Sequence, residues 1–200
     1  FGLHFLRHFL DLRSQVSFRL THINDEVITI DQALMIILND PQVRIFENYR
    51  VARLGSKLIF NDGIEIEFTN TPANEVTWLG KPDLFLECSG KYRDKGSVIP
   101  FVFGSTKLAI ISATSYDVDQ TLLYGFNHLD FKKNDRVISY GSCTVNAFVP
   151  FADRINRYFG LKSSSVNVIH NVPSYQLEAG GANTLTRKFC TLSDMGPKLL

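Results

Sequence analysis

Apolar residues along this chain recur at two spacings. Phe5, Leu6, Phe9, Leu10 and Leu12 share one face at helical spacing and predict a helix over residues 3–13. Residues 18–23 predict a strand that stops at Asn24-Asp25. Residues 31–38 read as a second helix, capped by Asp31 and halted before Pro41. Alternating runs at 57–60 and 64–68 flank Asn61-Asp62-Gly63, a strong hairpin signal. Strands are also predicted at 83–88, 107–113 and 136–139, the first and last of them buried. Phe148, Phe151, Ala152, Ile155 and Phe159 then form a helical stripe, closed by Gly160. Residues 165–169 alternate as a last strand ending at His170. The pattern predicts an α/β protein.

Candidate chemistry sits where the 136–139 strand passes into its helix. Cys143 falls at that helix start, where backbone N–H groups carry partial positive charge. That environment favours a thiolate, the nucleophilic form. A small buried core cysteine fits the position equally well. His170 lies 27 residues later (170 − 143), enough for a helix and a return strand to bring an imidazole beside the thiol. A hydrogen-bonded core histidine is the alternative. Near the start, a helix leads to a strand with Asp25 at its end, 23 residues after Gly2 (25 − 2). That is the middle of a dinucleotide-binding βαβ unit, in which the carboxylate meets a ribose hydroxyl.

Composition narrows the field. The chain has 200 residues, 44% hydrophobic and 20% charged, with net charge +1, which excludes a nucleic-acid or membrane surface as the expected partner. The cysteines are 55 and 47 residues apart (143 − 88 and 190 − 143), without metal-type spacing, so no metal is expected. An odd cysteine count and no secretory signal fit a cytoplasmic setting. His22 and His128 read as structural, and Cys88 and Cys190 as ordinary buried or half-buried thiols.

Ser142-Cys143-Thr144-Val145-Asn146, with His170 and Gln176 downstream, resembles the phosphorylating glyceraldehyde-3-phosphate dehydrogenases, whose pattern is Ser-Cys-Thr-Thr-Asn. Ile111-Ser112-Ala113, Gly125-Phe126-Asn127-His128 and Glu87-Cys88-Ser89-Gly90 agree in order with that family's Ile-Ser-Ala, Gly-Val-Asn-His and Glu-Ser-Thr-Gly. The resemblance runs from Phe1 to about Gln176.

The resemblance implies a Rossmann-like NAD-binding domain over residues 1–142, followed by part of an α+β catalytic domain over 143–200. It implies aldehyde oxidation in glycolysis through a thiohemiacetal and thioester on Cys143, with His170 as base and hydride transfer to NAD. Ser142 and Thr144 would contact the attacking inorganic phosphate. Gly2, Leu3, His4, Asp25, Ser89 and Ser112 would contact the cofactor, and Asp25 favours NAD over NADP because a carboxylate repels a 2′-phosphate. A homotetramer acting on a small-molecule aldehyde is implied as well. The chain opens on Phe1-Gly2 without Met, and the resemblance expects a strand before it and more catalytic domain after Leu200.

Several residues depart from the family pattern. Phe5 stands at the third glycine of the dinucleotide loop, where a ring should push the helix away or fill a gap elsewhere. Thr71 stands near the place of an arginine on the adenine side. Pro173 and Tyr175 replace two threonines that hold the substrate's phosphate, which points to a less charged or bulkier aldehyde. The alternative reading is a catalytically lapsed member kept as a binding or scaffold subunit.

Overall fold

A computed structural model describes residues 1–40, 49–61, 63–169 and 189–200. Helix α1 (Gly2–Leu12) opens the chain, then strand β1 (His22–Asn24) and helix α2 (Ile30–Asn39). Strands β2 (Val51–Leu54), β3 (Lys57–Phe60) and β4 (Ile64–Thr69) follow. Next come β5 (Leu84–Glu87), α3 (Lys95–Val98), β6 (Leu108–Ile111), β7 (Gln120–Thr121) and β8 (Val137–Ser139). Two helices close the described chain, α4 (Cys143–Phe159) and α5 (Leu192–Leu199).

The strands form two four-stranded sheets, ordered β1-β4-β3-β2 and β5-β6-β8-β7. In the first, β2, β3 and β4 run antiparallel and β1 joins β4 in parallel. The expected hairpin is present: Lys57 pairs with Glu67 and Phe60 with Ile64. Leu58, Phe60, Ile66 and Phe68 face one side and pack against Leu6, Phe9 and Leu10 of α1 and Ala33 and Ile37 of α2. The other face carries Glu65, ion-paired with Lys57 at 2.7 Å. One buried and one solvated face is the usual state of an antiparallel sheet.

The second sheet is parallel throughout. Ala109, Ile111 and Val137 pack with Val98, Phe101 and Val102, while Ile110, Leu122 and Ile138 form a separate cluster. A parallel sheet covered on both faces reads in sequence as an unbroken apolar run, which is why Leu108–Ile111 was legible. Mixed α/β content with this parallel sheet makes the fold Rossmann-like. No described helix is long and apolar enough to cross a membrane.

Several expectations need correction. The 18–23 strand shrinks to His22–Asn24, because Phe18 is used to cover α1, 5.5 Å from the ring of Phe9 and 6.3 Å from that of Phe5. Phe5 therefore fills a gap against Phe18. The 83–88 strand shortens to Leu84–Glu87, and Leu84 is exposed at the sheet edge. Residues 165–169 form no strand, with Val166, Val168 and Ile169 exposed, because alternation yields a strand only where an edge is available to pair. On α4 the buried face is Val145, Val149 and Ala152, against Leu123, Leu192 and Met195; Phe151 and Phe159 are exposed. The expected stripe holds at Ala152, which is buried, and at Phe148, which packs partly buried on this cluster, but the buried centre lies on Val145 and Val149.

Asp31 does not cap α2. Thr29 does, in a capping box: Gln32 N–H donates to Thr29 Oγ1 at 3.3 Å and Thr29 N–H donates to Gln32 Oε1 at 2.8 Å. Asp31 instead meets exposed Arg53 at 2.5 Å. Thr29→Ala should therefore cost about 0.5–2 kcal/mol of stability. Asp31→Ala should cost less, because exposed ion pairs contribute little. Urea unfolding of both variants checks the order, and a larger loss for Asp31→Ala would contradict it.

Candidate active site

The C-terminal ends of β5, β6 and β8 share one edge of the parallel sheet, the edge where open α/β sheets bind ligands. The turn from β8 into α4 is held from several sides. Buried Ser139 Oγ donates to Ala113 O at 2.6 Å and accepts from Gly141 N–H at 2.9 Å, tying the end of β6 to the turn. Gly141 has φ +69, and a Cβ there would lie 3.2 Å from Leu123 Cδ2 and 3.3 Å from Val145 Cγ1. Asn146 Nδ2 donates to Tyr140 O and, at 2.9 Å, to Ser142 O.

Ser142 is the N-cap of α4, accepting from Val145 N–H at 3.3 Å. Its Oγ also hydrogen-bonds Thr144 Oγ1 at 3.0 Å and Thr191 Oγ1 at 2.8 Å. Cys143 is the first residue of the 17-residue helix and is exposed, which sets aside the buried core cysteine. Cys190 is half-buried against α4, its Sγ 3.9 Å from Thr144 Oγ1.

Cys88 lies at the end of β5 in a different environment. Burial, reinforced by the carboxylate of Glu87, pushes its thiol up to about 11, against a smaller opposing hydrogen bond from Ser112. A Cβ on Gly2 would sit 3.6 Å from Cys88 Cβ, so α1 starts beside this strand end.

A cleft of about 1030 Å³ opens over this edge, walled by Phe1, Tyr116, Tyr140, Lys91, Arg93, Ser112, Thr114, Ser142, Cys143 and Thr191 among others. It brings together three residues read from the sequence: Ser112, Ser142 and Cys143. Thr144 joins through its hydrogen bond to Ser142. Gly2, Leu3 and His4 lie in the first turn of α1, with Leu3 packed on the core and His4 exposed. Asp25 lies beyond the cleft wall at the end of β1, where its Oδ1 accepts from Val27 and Ile28 N–H at 2.9 and 3.1 Å. Ser89 Oγ is bonded to Glu87 and accepts from Lys91 N–H at 3.0 Å. His170, Pro173, Tyr175 and Gln176 fall outside the described residues.

Sequence reasoning missed Ser139, Thr191 and Arg93. Ser139 carried a usable signal, a polar residue ending a buried strand. Thr191 reaches the site through a hydrogen bond to Ser142 far away in sequence, and Arg93 is placed on the cleft wall by the fold.

No family model matches the chain. It is 31% identical over 114 residues to "Glyceraldehyde-3-phosphate dehydrogenase" of Pseudomonas aeruginosa, covering 56% of this chain and 34% of that protein. It is 34% identical over 119 residues to "Glyceraldehyde-3-phosphate dehydrogenase, chromosomal" of Cupriavidus necator, covering 58% and 35%. These similarities support a relationship to such dehydrogenases, and the matched part spans about a third of each relative's length.

Cys143 should be alkylated by iodoacetamide at neutral pH well before Cys88. Labelling of Cys88 should rise only as pH approaches 11, since its raised value keeps the unreactive thiol dominant below that. Peptide mapping over a pH series checks this, and equal labelling of the two at neutral pH would contradict it.

Proposed function

We propose that the protein is an NAD-dependent aldehyde dehydrogenase of the glyceraldehyde-3-phosphate dehydrogenase type. The observation that carries the reading is exposed Cys143 at the start of α4, inside a cleft at the C-terminal edge of a parallel sheet. The proposed division puts cofactor binding in residues 1–142 and the start of the catalytic part at Cys143. The tetramer and the cytoplasmic setting belong to the same proposal.

Fit to a dinucleotide has specific support. Gly2 is exposed at the start of α1, and Phe5 is stacked on Phe18. Thr114 Oγ1, on a residue of the cleft wall, is buried without a hydrogen-bond partner among the described residues. Gly2, Leu3, His4 and Ser112 would hold the cofactor, with Asp25 toward its ribose. Bound NAD supplies a hydride acceptor.

The residues of this chain do the rest. Cys143 thiolate attacks the aldehyde carbon, forming a C–S bond while the carbonyl electrons move to oxygen. The positive end of α4 favours both the thiolate and the oxyanion. Ser142, Thr144 and Thr191 supply linked hydroxyls at the same helix start. Loss of hydride leaves a thioester on Cys143, and phosphate or water attacks it, releasing the thiolate. His170 is the proposed base for these proton movements.

Cys143→Ser should abolish aldehyde oxidation while leaving NAD binding intact. Trp78, the single tryptophan, reports binding by fluorescence. It stacks on His22 at 5.0 Å, and burial lowers the pKa of His22, so the ring is neutral and the signal steady above pH 7. NAD binding without turnover in the native chain would favour the scaffold reading. Turnover unchanged in Cys143→Ser would reject Cys143 as nucleophile.

A further inference from the structure

The loop after β5 reaches the cleft on a rigid mount. Glu87 is buried, and its carboxylate accepts from Ser89 N–H at 3.0 Å and Gly90 N–H at 3.2 Å, fixing the turn. Two residues on, Tyr92 meets Phe101 edge to face at 5.4 Å, anchoring the loop to the core. Asp94 then caps α3, accepting from Ser97 N–H and Ser97 Oγ, each at 2.9 Å. Arg93 is held between these anchors and lies on the wall of the cleft that contains Cys143.

The charges around it are largely spent. Lys91, on the same wall, pairs with Glu26 at 2.7 Å. Asp94 is the wall's only carboxylate among the described residues, and its oxygens serve the helix cap. Arg93 makes no ion pair or hydrogen bond with any described residue. Its positive charge therefore faces a cleft whose other contribution, the start of α4, has the same sign. A guanidinium without a carboxylate partner is suited to an incoming carboxylate or phosphate, which it can bind through two parallel N–H donors.

We propose that Arg93 is a specificity-determining residue that receives an anionic oxygen, carboxylate or phosphate, of the molecule reacting at Cys143. This deepens the dehydrogenase reading and rests on it. It also revises the expectation from Pro173 and Tyr175. Loss of two threonine hydroxyls at one phosphate position does not make the cleft neutral, because a cation lines another part of it.

The test uses the full chain and does not require turnover. Alkylation rates of Cys143 are measured with iodoacetate, which is anionic, and iodoacetamide, which is neutral, by peptide mapping. Arg93→Gln should lower the iodoacetate-to-iodoacetamide rate ratio on the order of tenfold, the low end for one charge-assisted hydrogen bond. Lys133→Gln removes the same charge from an exposed site off the cleft wall and should leave the ratio within about twofold, since distant exposed charges are screened. Inorganic phosphate and acetate are then tried as protectors. The one that slows alkylation in the native chain more than in Arg93→Gln identifies the anion. An unchanged ratio, an equal fall in both variants, or protection by neither anion would overturn the proposal. Because alkylation needs no dehydrogenase activity, an inactive protein with the expected ratios would sink the activity reading alone.

Discussion

Between β8 and α4 the chain has to turn through Gly141, and the rest of the site depends on how tightly it does so. The positive φ removes most residue types, and the neighbouring Leu123 and Val145 leave little space for any Cβ. Those two side chains are themselves core residues, packed with Val149, Leu192 and Met195. The turn is therefore fixed by the same cluster that seats α4 and α5. Ser139 adds a lateral tie to β6, so the ends of two strands and the start of a helix cannot move independently. Cys143 takes its place from this arrangement.

What could be read from the sequence was mostly local. The hairpin was legible because its turn and its alternation agree. The Cys143 helix start was legible because strand, glycine and helical period follow one another without a gap. Capping of α2 was also written locally, as Thr29-x-x-Gln32, beside a competing acidic candidate, Asp31, two positions later. The face of α4 was not legible. Phenylalanines at 151 and 159 outweigh Val145 and Val149 in any apolar count, yet the partners Leu123, Leu192 and Met195 determine which face is buried. The short β1 has a similar origin: Phe18 serves α1, a use that depends on tertiary contact.

The departure at Phe5 shows how a local rule can be broken without damage to the fold. A glycine there would let helix and strand approach closely. The aromatic ring instead finds Phe18, which in turn packs on Phe9. The Phe5 ring is accommodated by this contact, and α1 starts beside the end of β5 with Gly2 close to Cys88.

Cys88 and Cys143 both follow C-terminal strand ends of the same parallel sheet, β5 and β8, so position at a strand end cannot be what separates them. Environment is. Burial of the Cys88 thiol, and secondarily the neighbouring carboxylate of Glu87, push it up to about 11. Cys143 is exposed at the positive end of a long helix, on a cleft wall that carries an arginine without a carboxylate partner among the described residues. Glu87 is not available to that cleft, because its oxygens are used within the turn that carries Arg93. The same carboxylate thus adds to the burial that suppresses one thiolate and orients the loop that carries Arg93 to the cleft of the other.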